Sequence, residues 1–112
     1  MQLNLPMLSY YEGPKIVGPD VVAQCKTYRD AVRKCFELRT RTRMSLSVLA
    51  EESGCYASHM SDYVSSNPEK RELPAKHIAD FEVACGNRLV TQWLAAQAHV
   101  TILETFIQAR AA

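Results

Sequence analysis

The chain reads as all-α, a small helical bundle, on three observations. From Asp20 onward, apolar residues return every three or four positions in one segment after another, the period of helices with one buried face. The segments are separated at Gly54, Pro68, Pro74 and Gly86, residue types that stop helices or open new ones. No stretch alternates apolar and polar residues in the manner of a half-buried strand. At 112 residues the chain is long enough for one domain with a core of its own, flanked by short extensions.

Residues 1–19 hold Pro6, Gly13, Pro14, Gly18 and Pro19 around Tyr10 and Tyr11, with no helical period, and read as an N-terminal arm. Leu3, Leu5, Met7 and Leu8 make it too apolar for a solvated tail, so it is expected to pack on its own domain or on a neighbour. Residues 20–98 form the predicted domain. Asp20 is positioned to cap a helix whose buried stripe is Val21, Cys25, Tyr28, Val32, Cys35 and Phe36. Lys26, Arg29, Asp30, Arg33, Lys34 and Glu37 take the other face, with Asp30–Lys34 and Arg33–Glu37 spaced to pair over one turn.

Ser45 caps the next predicted helix, Leu46 to Ser53, and Tyr56 to Ser65 forms the one after it. Ser65, Ser66, Asn67 and Pro68 end that helix. Pro74 fits the first turn of a further helix with Ile78, Phe81, Ala84 and Cys85 on its apolar side, and Gly86 stops it. Asn87 caps a helix carrying Leu89, Val90, Trp93 and Leu94. Residues 99–112 open with Thr101 and Glu104, spaced as a capping box, and continue as a C-terminal helix. An isolated amphipathic helix gains little until its apolar face is covered. Trp93, Leu94, Leu103, Phe106 and Ile107 are therefore expected to form a homodimer contact, with packing onto the same chain as the alternative.

Charge is segregated although the net value is only +1. Lys26, Arg29, Arg33, Lys34, Arg39, Arg41 and Arg43 stand against Asp30 and Glu37, whereas the stretch from Glu51 to Glu72 is mostly acidic. A field that attracts polyanions must come from the first block. Arg39, Arg41 and Arg43, in a loop where no helical pairing neutralises them, are the strongest anion contacts predicted.

Other chemistries lack their residue patterns. Cys25, Cys35, Cys55 and Cys85 include no CxxC pair, so neither a zinc site completed by His59 or His77 nor a disulfide framework is expected; reduced, buried thiols fit better. Cys55 with His59, or Ser58 with His59 and Asp62, are neighbours on one helix without a cleft or oxyanion donor, so no catalytic residue and no cofactor is predicted. No apolar run reaches the roughly 18 residues of a membrane span, and the N-terminal residues lack a basic segment followed by an apolar stretch, so a soluble, cytoplasmic protein is expected.

The central segment carries the functional signal. Two short helices that cross steeply need a tiny side chain at the crossing, which Ala50 supplies. They also need a sharp turn at positive φ, which Gly54 permits. Leu49, Cys55, Met60 and Tyr63 then hold the second helix against the first. Ser45, Leu49, Ala50, Gly54, Cys55, Met60 and Tyr63 together resemble the helix-turn-helix regulators of temperate phages and bacteria typified by Cro and the lambda-type repressors. The downstream stretch LPAKHIADFEVACGNRLVTQWLA is similar, more loosely, to CII-like phage regulators. Two positions depart from the pattern: Leu46 stands where many repressors place a glutamine, and the second helix has no lysine or arginine.

The resemblance implies a lambda-repressor-like bundle and a sequence-specific, DNA-binding repressor or activator of phage or prophage type. It implies a homodimer on a two-fold double-stranded DNA operator, with contact to RNA polymerase or a host protein as a further possibility. The helix at 56–65 would enter the major groove, where Tyr56, Ala57, Ser58, Ser61, Asp62 and Ser65 meet base edges. Arg39, Arg41, Arg43, Ser45, His59, Lys70 and Arg71 would meet phosphates. The alternative function is a protein-interaction module on the same fold, such as an antitoxin or a phage inhibitor of a host protein.

Overall fold

The computed structural model describes residues 13–98, which form six α-helices: α1 (Pro19–Gln24), α2 (Tyr28–Glu37), α3 (Leu46–Ser53), α4 (Ala57–Tyr63), α5 (Ile78–Cys85) and α6 (Leu89–Ala98). A 3-10 turn at Ala75–His77 runs directly into α5. Among the described residues there is no strand, only an isolated parallel bridge between Lys15 and Asn87. The all-α expectation is met. No described helix is long and apolar enough to cross a membrane.

The first predicted helix is two helices. Thr27 adopts extended geometry (φ −132°, ψ 165°), its side chain accepts from the Asp30 N–H at 3.1 Å, and the Asp30 carboxylate accepts from the N–H groups of Lys26 and Thr27 at 3.1 and 3.3 Å. This reciprocal capping box satisfies orphan donors locally, which favours starting a new helix over continuing the old one. Asp30 is thereby engaged, and Lys34 turns to Glu37 at 3.7 Å while Arg33 reaches Glu37 at 4.0 Å. The cap of α1 is Gly18, with Pro19 in the first turn, and Asp20 lies within that turn without capping it.

The core is continuous across the bundle. α2 packs along α6, while α3 packs on both α4 and α5. Val32, Cys35, Leu49, Met60, Phe81, Leu89 and Val90 are all buried at this junction. Trp93 is buried too, and its indole N–H donates to the Cys25 carbonyl at 2.9 Å, tying α6 to the break between α1 and α2. The part of the arm that is described lies on its own domain. Lys15 N–H donates to Gly86 O at 3.0 Å, Arg88 N–H donates to Lys15 O at 2.9 Å, and the Gln92 amide exchanges two bonds with the Val17 backbone, each 2.9 Å.

The turn between α5 and α6 is over-determined. Gly86 has φ 88°, and a Cβ there would sit 2.6 Å from Thr40 Oγ1. Asn87 caps α6 by accepting from Leu89 N–H at 3.1 Å. Glu82, fully buried, accepts from the Thr91 N–H and hydroxyl at 2.7 Å each and from Arg88 at 3.2 Å. A carboxylate at a helix N-terminus gains from the dipole as well as from these donors, which is how a buried acid is tolerated here.

Candidate nucleic-acid interface

The geometry begins at Ser45, whose Oγ accepts from the Val48 N–H at 3.2 Å and caps α3 as expected. α3 ends at Gly54 in the left-handed region (φ 75°), and Cys55 N–H reaches back to Ala50 O at 2.8 Å. These bonds use up carbonyls that the helix end would otherwise leave open. Ala50, 1% exposed, is on the buried side of α3, the helix that packs on α4 and α5. Met60 and Tyr63 turn inward from α4 and are buried, while Cys55 is half-buried and burial pushes its thiol up.

α4 is shorter than the predicted 56–65. Tyr56 is its cap residue and Val64 closes it, so Ser65 lies beyond the helix and is half-buried. The outward side carries Tyr56, 74% exposed, with Ala57, Ser58 and Ser61 also exposed. Ser61 Oγ donates to Ser58 O at 3.0 Å, so its proton is directed along its own helix and its lone pairs face out. His59 is half-buried, its ring meeting Tyr56 edge-on at 5.2 Å and Tyr63 at 6.4 Å. Asp62 departs from the expectation of an open carboxylate: it is half-buried, because Arg71 from the following loop covers it, Nη1 to Oδ2 at 2.8 Å.

The expected anion ligands are distributed differently. Arg39 lies over the Phe36 ring at 4.1 Å and donates to Phe36 O and Thr42 O, so it closes the C-terminal end of α2. Arg41 forms a two-pronged pair with the Glu52 carboxylate and also donates to Ala84 O at 3.2 Å. That bond holds the Glu52 carboxyl below the usual range and raises the Arg41 guanidinium further. The loop is thus neutralised in part by the next helix, a long-range pairing that helical spacing could not reveal. Arg43 and Lys70 are exposed, and neither side chain is bonded within the described residues.

The residue missed at this site is Arg29. Placed by charge on a solvated face, it is 5% exposed and reaches across to the end of α4. Its Nη1 donates to Asp62 O at 2.8 Å and Ser65 O at 2.9 Å, and its Nη2 donates to Lys70 O and to Arg71 O at 2.9 Å. One guanidinium therefore closes both the helix terminus and the 65–71 loop, with its positive charge at the negative end of the α4 dipole. The signal was available within α2 alone: position 29 lies three residues before Val32 and seven before Phe36, on the buried stripe.

Of the residues assigned to a contact between copies, Trp93 packs inside its own chain and Leu94 is 39% exposed, while Leu103, Phe106 and Ile107 lie outside the described residues. The four cysteines are free thiols. Cys35 and Cys85 meet in the core, and the Cys35 thiol is pushed far up by its bond to Cys85 and by burial. Among the described residues no group of His, Cys, Asp or Glu is arranged to hold a metal ion. No family model, curated protein or solved structure matches this chain.

Proposed function

We propose that this protein is a sequence-specific DNA-binding transcriptional regulator in which α3, the Gly54 turn and α4 act as a helix-turn-helix and α4 lies in the major groove. The observation that carries this reading is the division of α4 into two sides. Met60 and Tyr63 are buried against the rest of the domain, while the cap residue Tyr56 and Ala57, Ser58 and Ser61 are exposed on the other side. Small side chains permit close approach to base edges, where serine hydroxyls pair with several bases and the Ala57 methyl suits thymine. Ser45 and the exposed Arg43 precede α3, where phosphate contacts would set the register. On this reading the protein acts as a homodimer on two half-sites about 34 Å apart, one helical turn of the duplex.

The reading is tested by fluorescence anisotropy on a labelled random-sequence duplex across a salt series. Phosphate contact requires affinity that falls steeply between about 50 and 200 mM salt. Absence of binding to any duplex at the lowest salt overturns it. One observation favours the second reading, a protein-interaction module: Arg41 and Arg71 are each paired with a carboxylate, which lowers the positive field around α3 and α4. A partner protein captured without DNA affinity would support that alternative.

A further inference from the structure

We infer that Arg71 is a guanine-reading residue, aimed by Asp62. The inference rests on the DNA-binding reading above and concerns which side chain supplies specificity. α4 itself contains no arginine or lysine. The commonest specific contact in the major groove is a two-pronged bond from a guanidinium to guanine O6 and N7. Arg71 brings a guanidinium to the face of α4 from outside the helix, bonded to Asp62 at 2.8 Å.

Three features make this more than a casual surface pair. Arg29 donates to the backbone carbonyls of the same two residues, Asp62 at 2.8 Å and Arg71 at 2.9 Å, so both main chains are fixed by one buried cation beneath the pair. The Arg71 side chain is 59% exposed while the Asp62 side chain is 19% exposed, so the carboxylate is covered and the guanidinium presented. Nη1 serves Asp62, and Nε and Nη2 have no partner among the described residues. A guanidinium has five N–H donors in a rigid fork, so one edge can be oriented by a carboxylate while others remain for a base. The pairing also removes a difficulty of Asp62, since a carboxylate that is neutralised is no longer strongly repelled by flanking phosphates.

The test is selection of bound duplexes from a random pool by the full-length protein, comparing the native chain with Arg71→Ala, Arg71→Lys and Asp62→Asn, each checked for an unchanged circular dichroism spectrum and melting temperature. The native chain is expected to select a motif with an obligatory guanine. In Arg71→Ala the preference at that one position falls by about tenfold or more while the rest of the motif persists. Arg71→Lys retains salt-dependent affinity but loses most of the guanine preference, because an ammonium lacks the fork. Asp62→Asn weakens the same preference, an effect that a purely structural pair would not localise to one base. An unchanged motif with uniformly lower affinity in Arg71→Ala makes Arg71 a phosphate ligand and overturns the inference alone. Failure of the native chain to select any motif overturns the DNA-reading function itself.

Discussion

Arg29 and Asp62, 33 positions apart, are joined by a 2.8 Å bond from the guanidinium to the main-chain carbonyl, so α2 holds the end of α4 through its backbone. The same guanidinium reaches three further carbonyls in the 65–71 loop. The outward face of α4 is consequently oriented by a residue whose hydrogen bonds all go to main-chain carbonyls.

Replacing Arg29 by methionine keeps the apolar stem and removes the donors. The four carbonyls are only partly buried and water can recover some of their bonding, so at about 1 kcal/mol for each bond lost a destabilisation of roughly 2–4 kcal/mol is expected in urea denaturation. Arg29→Lys should recover only a fraction, since one ammonium cannot span carbonyls on both sides of the fork. A loss below about 0.5 kcal/mol, the range of ordinary surface substitutions, would show that the four bonds carry little net stability.

How far the sequence disclosed this arrangement depends on the range of each interaction. Ser45, Gly54, Gly86 and Asn87 act within a few residues of themselves, and their roles as caps and stops are legible from local spacing. The break at Cys25–Thr27 was also written locally, in Thr27 and Asp30, but the apolar stripe running through it masked the capping box. Arg29, Arg41 and Arg71 pair across the fold, with partners chosen by packing, so charge counting placed them all in solvent. The outward set at α4 followed from helical period for Tyr56, Ala57, Ser58 and Ser61; it failed at Asp62, which Arg71 covers from a loop, and at Ser65, which lies past the end of the helix.

The two helix-ending glycines should respond differently to alanine. Both have positive φ, which costs an L-residue about 1–2 kcal/mol. At Gly54 a new Cβ finds its nearest neighbour, His77, at 3.9 Å, so Gly54→Ala should cost that backbone term alone. At Gly86 the Cβ would meet Thr40 Oγ1 at 2.6 Å and Cγ2 at 2.9 Å, so Gly86→Ala should cost distinctly more. Thermal melts with and without Thr40→Ala separate the terms: trimming Thr40 should recover part of the Gly86 loss and none of the Gly54 loss.

If the proposed DNA binding holds, Arg41 and Arg43, though in the same loop, should differ in their contribution to it. Arg41 is bound to Glu52, whereas Arg43 is exposed. Arg43→Ala should therefore lower the magnitude of the salt slope of duplex binding by about one, and Arg41→Ala by less. Glu52→Gln removes the competing carboxylate and should strengthen binding to non-specific duplex. If Arg41→Ala and Arg43→Ala shift the slope equally, the Glu52 pair does not survive at the phosphate surface.

Tyr28 gives the protein an alkaline limit. Its hydroxyl donates to Leu73 O at 2.7 Å, and burial, reinforced by Glu72 and Glu82, pushes its pKa up to about 12 from an ordinary 10. A phenol whose pKa is higher in the folded state is harder to ionise there, so its contribution to stability is complete below pH 10, where neither state has lost the proton. Above pH 10 the unfolded chain ionises first, and the contribution is lost as the pH rises through about 12, where the phenolate can no longer donate to Leu73. Urea denaturation at successive pH values should show stability declining across that window. Tyr28→Phe should cost about 1 kcal/mol at neutral pH, the worth of one hydrogen bond, and flatten the decline. An equally steep decline in Tyr28→Phe would assign the alkaline transition to another group, with the Tyr63 phenol, also pushed up by burial, as the next to replace.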